Sequence, residues 1–331
     1  MAVNKISTIW FVCKANKVTG LGHLIRCISL ANGLVKFGKK VNFYGDFSNQ
    51  AQKLLNIWNL SFTLDNKSIS ELLKKLPFGS QVILDSYQYA SSDLKPSHSY
   101  VLIDDFCRLE NYPVVGVINF TLMAHLYDYK KKGAHFSALG PEYFLPNPAL
   151  KKPIYTFQST IKNVLILIGS GDKLNLVTKI ISALNYIQQP LNLRVITPKK
   201  FNGKTHHALE ILPIQSNIEP HYRWADFCIT SGGLAKYEAA YLGKPATIIS
   251  LTKLEQGETE HFSRKKLCFD FGLVNNFNSM VFSKRFDDLL KCEAVRREAF
   301  NNCLNIFSAD SRDNAVQFVC YCFSLRSIVE V

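Results

Sequence analysis

Two Rossmann-like α/β domains are the fold class this sequence predicts, on three observations. Short β-type runs alternate with longer helical patterns along most of the chain, which is the pattern of parallel sheets with helices on their faces. The chain has 331 residues, long for a single hydrophobic core, since cores stop growing near roughly 250–300 residues. A strand–glycine turn–helix opening also occurs twice, once at the start of the chain and again after a Pro- and Lys-rich stretch near the middle.

The elements follow in order. Residues 7–13 (Ser-Thr-Ile-Trp-Phe-Val-Cys) read as a buried strand, followed by the turn Gly20-Leu-Gly-His23 and a helix over 24–37. Gly38 stands where a C-cap glycine belongs. Further strands are expected at 40–44, 81–85, 100–104 and 115–119. Between Leu145 and Pro153, two X-Pro steps and a third proline resist regular structure. The domain boundary is placed there, giving an N-terminal domain over 1–148 and a C-terminal domain over 149–331. The second half restarts with a strand at 163–168, the turn Gly169-Ser-Gly-Asp172 and a helix over 174–187. Strands at 193–196 and 227–230 lead to the turn Ser231-Gly-Gly233, a helix over 234–242 and a strand at 246–250. Residues after about 287 read as helical, and whether 303–325 returns to the first domain is open at this level. The two domains are expected to face one another across a cleft.

Composition narrows the class. At 47% hydrophobic and 20% charged, the chain is ordinary globular protein rather than disordered or fibrous. Its net charge of +13, from 39 Lys and Arg against 26 Asp and Glu, attracts anions such as nucleic acid, acidic lipid head groups or phosphorylated small molecules. The runs Lys130–Lys132 and Arg264–Lys266 are too short to separate a binding patch from a solvated face. No helix-turn-helix, RNA-binding or zinc pattern accompanies the charge, which ranks nucleic acid last. Nine cysteines, odd in number and without a CxxC pair, read as reduced thiols of a cytoplasmic protein. The apolar run 6–13 is too short for a signal peptide, and no stretch approaches the roughly 20 residues of a membrane span.

Three strand–glycine turn–helix junctions carry the chemistry: Gly20-Leu-Gly-His23, Gly169-Ser-Gly-Asp172 and Ser231-Gly-Gly233. The first N–H groups of a helix lack internal partners and carry partial positive charge, and glycine lets a phosphate approach them. One such turn signifies little, because tight turns use glycine for its backbone freedom alone. Three together point to an anionic ligand. Neither a Walker A motif nor GxGxxG is present, which argues against a P-loop NTPase and an NAD enzyme. His23 falls in the first turn of a helix, where the dipole disfavours imidazolium and leaves a neutral base able to deprotonate water or an alcohol. A histidine bonded to nearby backbone fits the same position. Glu238, inside the helix after Ser231-Gly-Gly233, could accept ribose hydroxyls or simply favour the helix dipole. Asp85, Asp104 and Asp105 stand at strand C-termini, where open α/β sheets bind ligands. Helix capping and turn formation suit Asp104 and Asp105 better.

These motifs resemble a known family. Gly20-x-Gly-His-x-x-Arg26 with Leu30-Ala31 is similar to the opening signature of the UDP-sugar hydrolases of pseudaminic-acid synthesis and their spore-coat polysaccharide relatives. Asp85-Ser-Tyr87, Ile103-Asp-Asp105, Gly140-Pro-Glu-Tyr143 and Gly169-Ser-Gly-Asp172 with Asn175 follow in the family's order. So do Ala225-Asp226, Ser231-Gly-Gly233, Glu238, Gly243-Lys-Pro245 and Gln256, and the whole set spans about residues 5–275.

The resemblance implies a GT-B architecture and hydrolysis of a UDP-linked 2,4-diacetamido-trideoxy sugar, with neither metal nor cofactor. It makes His23 the base that activates water at C1, with Tyr87 on the sugar. Gly171, Ser231, Gly232 and Glu238 would hold the UDP, and Gly20, Gly22, Arg26, Asp85, Gly169, Asp172, Gly233 and Gln256 complete the substrate-binding set. Lys14-Ala-Asn16 replaces an acidic residue of the family, Ser86 a histidine, and Glu255 an asparagine placed on the reacting sugar. These departures gather on the sugar side. They leave open a glycosyltransferase working on the same nucleotide-sugar, with Glu255 in its catalytic set and peripheral membrane contact, or a non-catalytic nucleotide-sugar-binding subunit.

Overall fold

The computed structural model describes residues 8–151, 156–169, 172, 174–198, 201 and 203–325. These fall into two compact units, one reaching Pro148 and taking in the chain from Ala309 onward, the other spanning Ala149–Ser308.

Unit 1 is built on seven strands: β1 (Thr8–Cys13), β2 (Lys40–Gly45), β3 (Phe62–Leu64), β4 (Gln81–Asp85), β5 (Ser99–Ile103), β6 (Gly116–Asn119) and β7 (Phe136–Leu139). All pairings are parallel, in the order β3-β2-β1-β4-β5-β6-β7. The central strands β4, β5 and β6 are buried almost throughout, as a sheet covered on both faces requires. Helix α1 (Gly22–Lys36) follows β1 and buries nine residues, Leu24 to Leu34 among them. It ends where Gly38 takes φ +74°, a conformation that favours glycine at a helix C-terminus. Helices α2 (Asn49–Ile57) and α3 (Ile69–Lys75) start at Ser48 and Ser68, each accepting a backbone N–H, and Ser68 forms a capping box with Glu71.

Unit 2 repeats the plan with six parallel strands: β8 (Asn163–Leu167), β9 (Asn192–Ile196), β10 (Ala208–Leu212), β11 (Phe227–Ser231), β12 (Ala246–Ser250) and β13 (Phe269–Leu273), in the order β10-β9-β8-β11-β12-β13. Its helices are α4 (Leu176–Leu184), α5 (Glu219–Trp224), α6 (Leu234–Tyr241), α7 (Lys253–Arg264), α8 (Ser279–Lys291) and α9 (Glu293–Ile306). Ile166, Ile180, Val195, Phe227, Ile229 and Phe286 meet in its core.

The last helix, α10 (Ser311–Ser324), corrects one expectation. The boundary expected from the sequence places it in the second domain (149–331), yet its residues cluster with unit 1. It packs on α1 so closely that a β-carbon on Gly33 would stand 2.3 Å from Val316 Cγ2. Arg312 donates to Ser29 Oγ at 3.0 Å and Asn314 to the Glu142 carbonyl at 2.9 Å. Among the described residues, no helix is long and apolar enough to cross a membrane.

Candidate functional site

In unit 1 the site grows from the carboxyl edge of the sheet. Strand β1 is in register with β4, so that Cys13 lies opposite Asp85 and the loops after both strands emerge together. The loop after β1 is fixed by Asn16, whose side-chain oxygen accepts from the N–H groups of Val18 and Thr19 at 2.9 and 3.0 Å. Gly20 then takes φ +72°, and α1 begins at Gly22 with neither a capping side chain nor an acidic residue in its first turn. His23, in that first turn, points its ring at Asp85.

Asp85 is fully buried and organises the site. Its Oδ1 lies 2.5 Å from His23 Nδ1 and 2.7 Å from an Arg26 terminal nitrogen, and its Oδ2 accepts from Arg26 Nε at 2.6 Å. Arg26 in turn reaches both oxygens of Asp105 at 2.8 Å, and Tyr87 donates its hydroxyl to Asp105 Oδ2. The Arg26 guanidinium also stands 5.5 Å from the centre of the Phe120 ring. Burial opposes ionisation of Asp85, but the Arg26 charge and the hydrogen bonds from Arg26 and His23 outweigh it and hold the carboxyl well below the usual range. Burial likewise opposes the charge on Arg26, and Asp105 and Asp85 overcome it. The Tyr87 hydroxyl is pushed far up by burial and by Asp105, so it stays protonated.

These contacts fix the histidine tautomer. Nδ1 has a carboxylate oxygen at 2.5 Å and a guanidinium nitrogen at 3.2 Å. The nearer, ionised oxygen calls for a proton on Nδ1, so that in the neutral ring the lone pair lies on Nε2. Tyr87 meets the ring edge-on at 4.8 Å between centroids and sets its plane. Arg108 holds the Tyr87 loop by donating to the carbonyls of Tyr89 at 2.8 Å and Ser86 at 3.0 Å. The result is a hollow of about 280 Å³ within unit 1, lined by Lys14, Thr19, His23, Ser86, Tyr87 and Gln88 among others.

The structure thus brings together His23, Arg26, Asp85 and Tyr87, with Gly20 and Gly22 in the adjoining turn. Asp104 serves as a turn former and buried acceptor, bonded by Tyr112. Asp105, read from the sequence as a capping or turn residue, is instead the second counter-ion of Arg26. The signal for it was Arg26 itself, since a buried guanidinium needs acids around it.

In unit 2 the turn Ser231-Gly232-Gly233 joins β11 to α6, which has no side-chain cap and no acid in its first turn. A β-carbon on Gly232 would lie 2.8 Å from Glu255 Cβ, so the turn sits against the start of α7. The other residues expected in the site are engaged within the unit. Glu255 accepts from Leu251 N–H at 2.7 Å, and Gln256 donates to Asp270 at 2.8 Å. Asp172 accepts from Leu176 N–H at 2.6 Å, at the start of α4. Glu238 is buried and accepts from the Tyr222 hydroxyl at 3.2 Å. Gly169 takes φ +82° beside open space, while Gly171 lies outside the described residues.

Among solved structures, Acinetobacter baumannii MurG superimposes with a TM-score of 0.63 at 13% identity, covering 95% of this chain and 99% of that one. Staphylococcus aureus MnaA, solved with UDP, gives 0.64 at 11% identity, covering 96% and 97%. The fold is that of the GT-B glycosyltransferases. Two further neighbours, the glycosyltransferases VinC and SpnG, were solved with dTDP. No protein-family model matches the chain. By sequence it is 24% identical over 294 residues to the Helicobacter pylori pseudaminic acid cytidylyltransferase and UDP-2,4-diacetamido-2,4,6-trideoxy-β-L-altropyranose hydrolase, covering 84% of this chain and 50% of that protein. An uncharacterized Methanocaldococcus jannaschii protein is 23% identical over 278 residues, covering 74% and 56%. The Bacillus subtilis spore coat polysaccharide biosynthesis protein SpsG is 23% identical over 146 residues, covering 40% and 43%. The chain therefore spans about half the length of the curated relatives it matches.

Proposed function

We propose that the chain is a nucleotide-sugar hydrolase in surface-glycan synthesis, with a UDP-linked diacetamido-trideoxy sugar as donor and His23 as general base. The observation that carries this reading is the His23–Asp85 pair, which protonates Nδ1 and leaves Nε2 as a base in a polar hollow. Nε2 takes a proton from an incoming water. The water oxygen bonds to the sugar C1 as the bond from C1 to the phosphate oxygen breaks, and the electron pair leaves with UDP. Asp85 stabilises the imidazolium that forms and keeps the ring oriented, as the carboxylate does in a Ser-His-Asp triad. Tyr87, held neutral by Asp105, offers its ring edge and hydroxyl oxygen to the sugar. We assign the UDP to unit 2, at Gly169 and at Ser231, Gly232 and Gly233, whose backbone N–H groups suit a diphosphate. The hydrolase activity in the name of the Helicobacter relative supports hydrolysis, and the nucleoside diphosphates held by fold neighbours support the donor class.

Incubation with UDP-2,4-diacetamido-trideoxy-hexose should release UDP, and His23→Ala should abolish release while leaving UDP affinity nearly intact. Absence of UDP release from any such donor, with or without an alcohol acceptor, overturns the reading. Glycosyl transfer by the same base is the second reading, favoured by Lys14 in the hollow. Donor turnover that rises steeply on adding an acceptor would select it.

A further inference from the structure

The hollow around His23 is lined by a cationic residue that takes no part in the hydrolytic step above. Lys14 directly follows β1 and is half-buried at the wall of the hollow, beside Ser86 and Gln88. Its backbone is fixed on both sides. Its carbonyl accepts from Thr19 Oγ1 at 3.2 Å, and the next residue, Ala15, bridges to Phe47 and donates to the Asp46 carbonyl at 2.9 Å. The side chain therefore springs from a fixed stretch of backbone.

Its counter-ion is the open question. The two carboxylates nearest in the network are already engaged, Asp85 by His23 and Arg26, and Asp105 by Arg26 and Tyr87. Asp46, one loop away, bonds Asn16 Nδ2 at 2.6 Å. Among the described residues no carboxylate pairs with Lys14, whereas Arg26 in the same site has two. A half-buried lysine lining a cavity, with its neighbouring acids committed elsewhere, is complementary to an oxyanion brought by a ligand.

We propose that Lys14 forms an anion subsite beside the base, which seats a phosphate or carboxylate of a ligand other than the donor nucleotide. This rests on the reading of His23 as the base; in its second form, glycosyl transfer, the seated group belongs to the acceptor. An acceptor anchored by its charge would present its hydroxyl to Nε2 in a fixed pose, and positioning of that kind accounts for much of the gain in a bimolecular step.

The test uses full-length protein with isotope-labelled histidine, the His23 ring signals being assigned with His23→Gln. Inorganic phosphate, acetate and sodium chloride are titrated separately at matched ionic strength near neutral pH. Phosphate, acetate or both should shift the His23 signals saturably, and which of them does so identifies the group; chloride should not. Lys14→Ala should weaken that response about tenfold or more, the size expected for one partly desolvated ion pair, and Lys14→Arg should preserve it. UDP affinity by calorimetry should change less than about twofold in Lys14→Ala. A response no different from chloride, or one unaltered in Lys14→Ala, overturns the proposal. Loss of UDP affinity in Lys14→Ala also overturns it, by giving Lys14 to the donor diphosphate. If UDP fails to bind the wild type while the Lys14-dependent response persists, the nucleotide reading fails and the subsite stands.

Discussion

His23 and Asp85 are 62 positions apart in the chain and 2.5 Å apart in space, Nδ1 to Oδ1. The parallel register of β1 and β4 creates this contact. Asp85 closes β4 opposite Cys13, the last residue of β1, and α1 carries His23 back over that point. Because Arg26 keeps Asp85 ionised, the pair acts as a fixed acceptor for the ring and not as a shared proton.

Asp85→Asn should separate chemistry from binding. An amide can donate to Nδ1 and so stabilise the tautomer with its proton on Nε2, which is useless as a base. Turnover should fall about 10²- to 10⁴-fold with UDP affinity unchanged. The lost partner of buried Arg26 should lower unfolding free energy by about 3–5 kcal/mol, measured in urea. Wild-type turnover in this variant would remove Asp85 from the mechanism.

Stability should decline at alkaline pH for an identifiable reason. Burial pushes the Cys228 thiol in β11 and the Tyr100 hydroxyl in β5 each up to about 12. Both values lie above those of the unfolded chain, so the stabilisation is fully present below the unfolded thiol value of about 8.5 and is lost as pH rises towards about 12. Each group should contribute a slope of about 1.4 kcal/mol per pH unit within its window. Urea midpoints across pH 8–11 test this, with Cys228→Ala flattening the lower part of the curve. A profile unchanged by that substitution contradicts it.

The contact between α1 and α10 can be tested by a double-mutant cycle. Gly33→Ala drives a methyl group into Val316 Cγ2 and should destabilise by about 1–3 kcal/mol. With Val316→Ala the clash disappears, and the pair should be at least about 1 kcal/mol more stable than the sum of the single effects. Additive effects would mean that the two helices do not meet there.

Gly22 and Gly232 should respond in opposite ways to alanine. A β-carbon at Gly22 meets nothing within 4 Å, and alanine in a helix gains up to about 1 kcal/mol over glycine. At Gly232 the same carbon presses on Glu255. That variant should lose about 1–3 kcal/mol and bind UDP more weakly. Thermal unfolding and calorimetry on both variants would show the contrast, and equal effects would count against the close approach at Gly232.

The strands that sequence reading found and missed follow burial. It located the interior strands, most of which carry nearly continuous apolar runs. It missed β3, β7, β10 and β13, which are the four edge strands of the two sheets. An edge strand has one neighbour and a solvated flank. β3 and β10 accordingly carry exposed positions, and no residue of β13 is fully buried. Their patterns were too weak to stand out from loops.

The sequence by itself determined the local chemistry: the glycine turns between strand and helix, the place of His23 in the first turn of α1, and the C-cap at Gly38. Each of these depends on neighbours within a few residues, where backbone sterics and helix-end electrostatics act. Only the tertiary structure decided that Asp85 and Asp105 converge on Arg26, that Glu255 and Gln256 are bonded within their own unit, and that α10 belongs with unit 1. Those outcomes depend on strand order and register, which set distances between residues tens to hundreds of positions apart, and hydrophobic periodicity carries no record of them.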